Sequence, residues 1–299
     1  MPVPDPTRPF GAVLAALVTP FDLDGSLDLD AAQKLASHLV DQGLDGLVVS
    51  GTTGESPTTT DPEKRDLLLA VVEAVGDRAQ VIAGVGTYDT AHSVQLAREA
   101  AETGADGLLV VTPYYSKPPP AGLLAHFRAV ADAAALPVML YDIPPRSVVR
   151  IGTPVLAELA RHPRIVAVKD ATGDLFSGSE LIASTDLAYY CGDDALNLAW
   201  LAQGAVGLVS VVAHVAGREL VELVRAVESG DLRRARELHS RLIPAVRGIM
   251  NRTQGAIMAK AALQLQGVLP HRTTRLPLPT ATDEEVALLR ADLEAAGLL

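Results

Sequence analysis

The chain has 299 residues, with 25 Lys+Arg against 36 Asp+Glu for a formal net charge of −11, and 48% of it is hydrophobic. That is a globular composition, and its acidic balance argues against a nucleic-acid partner or an anionic membrane surface, both of which need a clustered positive field. A single cysteine, Cys191, excludes an intramolecular disulfide and any multi-cysteine metal site, and it fits a reducing, cytoplasmic setting. The opening Met-Pro-Val-Pro-Asp-Pro lacks a charged-then-apolar leader, and no apolar stretch reaches the ~20 residues of a membrane span, so neither secretion nor insertion is expected.

In chain order, short apolar runs alternate with segments of helical spacing. The runs cover 12–18, 46–50, 81–85, 107–112, 137–141, 165–169, 187–191 and 206–211. Most are continuous Val, Ile and Leu, the pattern of strands buried on both faces of a parallel sheet. Between the first two, residues 29–40 place Leu29, Ala32, Leu35, Ala36, Leu39 and Val40 on one helical face. The next helix opens at Thr60-Asp61-Pro62-Glu63, where Thr60 or Asp61 caps the first turn and Pro62 loses nothing by lacking an N–H. Eight such units predict a (β/α)8 TIM barrel, with an open doubly wound sheet as the runner-up. Beyond it, 232–250, 255–266 and 283–296 read as helix, so the expected division is a barrel domain over 1–228 and a C-terminal helical region over 229–299.

Barrel chemistry sits at the C-terminal ends of the strands. Those ends are polar here: Ser50-Gly51-Thr52-Thr53-Gly54-Glu55, Thr112-Pro113-Tyr114-Tyr115, Tyr141-Asp142, Lys169-Asp170, Gly192-Asp193-Asp194 and Ser210. Phosphate-binding and dinucleotide-binding glycine patterns are missing, and none of the 7 histidines falls at a metal-ligand spacing, so no metal site is expected. Of the five lysines, Lys34 and Lys64 fit polar helix faces, Lys117 a proline-rich loop, and Lys260 the helical tail. Lys169 ends an apolar strand. It marks either the place where a strand meets water or a Schiff-base nucleophile whose pKa burial lowers. Tyr141 ends the adjacent strand, as a rim residue or as a phenol within reach of that lysine's substrate. Thr52 and Thr53 occupy a glycine-flanked turn that offers N–H groups and hydroxyls to a small carboxylate. Arg146, after two prolines, is either solvated or poised for a second carboxylate.

Five motifs in register, Gly51-Thr52-Thr53-Gly54-Glu55-Ser56, Thr112-Pro113-Tyr114-Tyr115, Tyr141-Asp142-Ile143-Pro144-Pro145-Arg146, Val168-Lys169-Asp170-Ala171-Thr172-Gly173 and Gly192-Asp193-Asp194, resemble the dihydrodipicolinate synthase / N-acetylneuraminate lyase family. The resemblance is to its synthase branch. It implies a homo-oligomer, usually a tetramer of tight dimers, that condenses pyruvate with L-aspartate 4-semialdehyde on the route to diaminopimelate and lysine, without metal or organic cofactor. It further implies that Lys169 forms the imine, that Tyr141 is the general acid/base, and that Thr53 relays protons and helps bind the pyruvate carboxylate beside Thr52. Tyr115 would complete the relay from the neighbouring subunit, Arg146 would bind the semialdehyde carboxylate, and Gly192 and Val209 would line the pyruvate pocket.

The same resemblance leaves as an alternative a pyruvate-dependent aldolase that cleaves a sialic acid or keto-deoxy sugar acid, against which Arg146 and the doubled threonine speak. A catalytically silent barrel is disfavoured by the intact set of Lys169, Tyr141, Thr53 and Tyr115. Two departures from the family pattern stand out. Asp142 replaces the usual asparagine, and Asp61, Lys64, Tyr88 and His92 replace the residues of the lysine-feedback site, so lysine inhibition is expected to be weak or absent.

Overall fold

The computed structural model describes residues 7–299; residues 1–6, with the leader reading and the first residues of the expected barrel domain, lie outside the described residues. The eight apolar runs form eight strands: β1 (Val13–Ala16), β2 (Gly46–Val49), β3 (Gln80–Gly84), β4 (Gly107–Val111), β5 (Val138–Asp142), β6 (Ile165–Asp170), β7 (Ala188–Cys191) and β8 (Gly207–Ser210). They pair in sequence order, and β8 pairs in parallel with β1 to close the barrel, which settles the choice against an open sheet. Both faces of these strands are buried, hence their unbroken Val/Ile/Leu character.

The outer ring comprises α1 (Leu29–Asp41), α2 (Asp61–Val75), α3 (Thr90–Thr103), α4 (Pro120–Ala133), α5 (Pro144–Ser147), α6 (Thr153–Leu159), α7 (Leu175–Ser184), α8 (Asn197–Ala202) and α9 (Ala213–Glu228). Local chemistry sets their starts. Asp28 accepts the Ala31 N–H at 2.9 Å to open α1, and Thr60 with Glu63 forms a reciprocal capping box at α2. Then follow α10 (Leu232–Val246), α11 (Gly255–Leu265) and α12 (Asp283–Ala295). The helix expected over 232–250 is α-helical only to Val246 and continues as a π turn over Arg247–Asn251. Pro244, inside α10, offers no N–H to the carbonyl four residues back, which loosens the ladder at that point. The tail packs back on α9, and Asp292 of α12, only 3% exposed, is held by Arg247 at 2.6 Å and Arg252 at 2.9 Å.

Strand register places the chemistry. Tyr141 of β5 lies opposite Lys169 of β6, and Asp142 lies opposite Asp170. Because side chains alternate between the faces of a strand, Tyr141 and Lys169 share one face and the two aspartates share the other. Across β7, Lys169 pairs with Tyr190, whose hydroxyl accepts the Phe10 N–H at 3.2 Å. Phe10 packs so closely on Gly107, the first residue of β4, that a Cβ there would lie 2.4 Å from its ring. No helix among the described residues is long and apolar enough to cross a membrane.

Candidate active site

Lys169 is 4% exposed, and its Nζ sits 4.2 Å from the centre of the Tyr141 ring. Burial lowers its pKa to about 8, partly offset by the carboxylate of Asp194. At pH 7 that leaves roughly one amine in ten neutral, against about one in three thousand for an unshifted lysine. Burial acts oppositely on Tyr141. It pushes the phenol up to about 12 against the nearby Arg146 charge and a hydrogen bond from Thr52, so the phenol holds its proton. An amine partly neutral at pH 7 beside a phenol that keeps its proton is a pairing suited to nucleophilic and acid chemistry.

Of the two threonines expected to serve the phenol, Thr53 as relay and Thr52 beside it, it is Thr52 whose hydroxyl acts on the Tyr141 titration. The turn conformation decides between these neighbours. Thr53 is buried, whereas half-buried Thr52 lines the cavity. Ser50 and Glu55 bracket the turn with φ of +55° and +54°, the left-handed region. Gly54 lies so close to the Leu17 carbonyl that a Cβ would approach it to 3.0 Å, and its own carbonyl accepts the Thr19 hydroxyl at 2.6 Å.

A cavity of about 230 Å³ opens at this end of the barrel, walled by Thr52, Tyr114, Tyr141, Ile143, Arg146 and Ser147 among others, a size for a small metabolite. Arg146 stands exposed at its edge on the one-turn helix α5. The segment that follows is tied down. The Ser147 hydroxyl bonds the carbonyls of Ile143 and Val149 at 2.9 and 2.8 Å, and the Asp142 carboxyl accepts the Ile151 N–H at 3.0 Å. Asp142, expected near the mouth, is thus buried on the outer face of β5, where burial raises its pKa to about 7, with Asp170 adding to the rise.

Gly192 lies against Lys169. A Cβ there would meet the lysine Cγ at 2.9 Å and Cε at 3.0 Å, so only glycine lets the side chain pass. Val209 is buried in β8, in register with Leu14 of β1. Tyr115 is 89% exposed with φ of +71°, while Tyr114 beside it lines the cavity and meets Tyr88 edge-on at 5.4 Å. Asp194, 4% exposed, spends its carboxylate on the N–H groups of Val211 and Val212, at 2.8 and 3.0 Å, and on Asn197 and Ser210.

Tyr114 stood in the sequence motif without a role of its own, and Lys260 was not anticipated at all. Read as part of a helical tail, Lys260 is fully buried and ion-paired with Glu55 of the threonine turn. The signal was present: Gly-Ala-Ile-Met-Ala-Lys-Ala-Ala-Leu surrounds this lysine with apolar residues on every side of the helix.

A closed (β/α)8 barrel that buries a neutralisable lysine against a protonated tyrosine at its strand ends defines a lysine-based, aldolase-type enzyme. The chain belongs to the dihydrodipicolinate synthetase family, whose model matches residues 9–296. A 4-hydroxy-tetrahydrodipicolinate synthase from Kineococcus radiotolerans is 64% identical over 293 residues, spanning 98% of this chain and 95% of the relative. A dihydrodipicolinate synthase structure from Cyanidioschyzon merolae with lysine bound superposes with a TM-score of 0.94 at 41% identity, covering 97% of this chain and 99% of the other. A structure described as the first monomeric dihydrodipicolinate synthase variant has a TM-score of 0.94 at 35% identity, with 99% of both chains covered.

Proposed function

We propose that this chain condenses pyruvate with L-aspartate 4-semialdehyde to give 4-hydroxy-tetrahydrodipicolinate, a step toward diaminopimelate and lysine. The observation that carries the reading is the buried Lys169 amine against Tyr141, with Thr52 and Tyr141 together in the cavity wall. The neutral amine adds to the pyruvate ketone, water leaves, and the protonated imine serves as the electron sink for loss of a methyl proton. The enamine carbon attacks the aldehyde, whose oxygen takes a proton through Tyr141; the substrate's own amine then displaces Lys169 and closes the ring. The Thr52–Thr53 turn receives the pyruvate carboxylate, and Arg146 at the cavity edge receives that of the semialdehyde. Gly192 gives Lys169 its passage, and Val209 backs the pyruvate end as part of the barrel core. The chemistry calls for no metal or organic cofactor.

The exposure of Tyr115 supports a further element: a second copy receives this phenol into its own site, completing the Thr52–Tyr141 relay across a tight dimer, with two dimers forming a tetramer. A barrel domain over 1–228 and a helical region over 229–299 fit the end of α9 at Glu228 and the left-handed Gly230, φ +75°, that turns the chain into α10. The buried, unpaired Cys191 fits a cytoplasmic location. The decisive assay supplies purified protein with pyruvate and the semialdehyde and follows the condensation. Turnover supports the reading, whereas cleavage of a sialic acid or keto-deoxy sugar acid without condensation would overturn it.

A further inference from the structure

The threonine turn is anchored from far away in sequence. Lys260 of α11 donates to Glu55 and to the Thr273 carbonyl at 2.8 Å, and the second Glu55 oxygen accepts the Arg275 N–H at 2.9 Å. The Arg275 guanidinium grips Glu63 at 2.6 and 2.9 Å and donates to the carbonyls of Thr58 and Gly25, each at 2.9 Å. The Phe21 ring takes both cations, Lys260 at 4.1 Å and Arg275 at 4.3 Å. The segment that follows the threonines is therefore tied to the C-terminal region at Glu55, Thr58 and Glu63.

Stability alone does not account for this arrangement. A buried ion pair recovers little more than its desolvation cost, and apolar residues of the same volume would hold the fold equally well. Glu55 also keeps a left-handed backbone, φ +54°, a conformation that persists only where surrounding contacts over-determine it. Its N–H donates to the Thr52 carbonyl at 3.2 Å, one link from the hydroxyl that serves Tyr141.

We propose that Glu55 and Lys260 are positioning residues that lock the threonine turn so that Thr52 stays aligned with the Tyr141 phenol, which makes the C-terminal helical region part of the catalytic apparatus. The inference rests on the condensation reading, in which Thr52 and Tyr141 move protons and the turn receives pyruvate. An ångström of drift in Thr52 is enough to cost about 100-fold in rate.

The test uses the neutral double variant Glu55→Gln/Lys260→Met, which leaves no uncompensated buried charge, beside the parent and the rescue variant Lys260→Arg. Borohydride trapping with pyruvate counts competent Lys169 sites, and steady-state kinetics per trapped site follow. The double variant is expected to fold and to be trapped, with kcat down about 100-fold and KM for pyruvate up about tenfold, while KM for the semialdehyde moves less than about twofold. Lys260→Arg is expected to recover most of the loss. A folded double variant whose constants per trapped site match the parent within about twofold overturns the proposal and leaves the condensation reading intact. A parent that forms no pyruvate adduct at Lys169 overturns both. If the double variant does not fold, Glu55→Asp, which shortens the tie without removing the charge that Lys260 pairs with, is expected to show the same split in smaller measure, and parental constants there overturn the proposal.

Discussion

Lys169 would be a poor nucleophile in water; in this barrel it is a serviceable one, because burial weakens its hold on the proton more than Asp194 restores it. The sign of the pH dependence follows. The neutral amine is the reactive form, so the rate of imine formation rises with pH and levels off above about 8, where an unshifted lysine would still be climbing. A pH–rate profile of pyruvate trapping checks this. Tyr141, pushed up to about 12, keeps its proton across that window, as the acid role proposed for it requires. Tyr141→Phe is expected to retain trapping while kcat falls about 10²–10⁴-fold in the condensation assay. Thr52 shows where sequence reading runs out at this scale. Two adjacent threonines look equivalent on paper, whereas in the folded turn Thr53 is buried and Thr52 lines the cavity.

The segment after β5 carries Arg146, and Asp142 holds it through the Ile151 N–H. Burial raises the Asp142 pKa above its unfolded value, so the protonated carboxyl is the form the fold prefers, and its contribution is lost as pH rises through about 7. Asp142→Asn keeps the acceptor and cannot ionise. Its thermal midpoint is therefore expected to exceed the parent's by more at pH 8 than at pH 5, measured by calorimetry. Asp142→Ala loses the acceptor as well; it is expected to cost about 1–3 kcal/mol and to raise KM for the semialdehyde through a looser Arg146. Between α2 and α3, Asp61 accepts from His92 at 2.9 Å and lies 3.8 Å from Lys64. These groups satisfy one another, so steady-state rates are expected to hold in the presence of millimolar free lysine; strong inhibition at sub-millimolar lysine would contradict this.

At the scale of the whole molecule, the site is assembled from both ends of the chain and, on the proposed reading, from two chains. If the exposed Tyr115 serves a neighbour, inactive Tyr115→Ala and Lys169→Ala proteins regain activity when mixed and allowed to exchange subunits, because a mixed pair holds one complete site. The barrel was legible because doubly buried strands must be continuously apolar, and Lys169 because a charge ending such a strand is conspicuous. The tie between Lys260 and Glu55 was not legible, since a pairing across 205 residues exists only once the tail has folded back onto the barrel mouth. Imine formation at Lys169 is a covalent event, and reduction with borohydride in the presence of pyruvate, followed by peptide mapping, reads it out. A single pyruvate-derived adduct is expected on the peptide that carries Lys169; an unmodified Lys169, or an adduct on Lys260 instead, would refute the proposed chemistry.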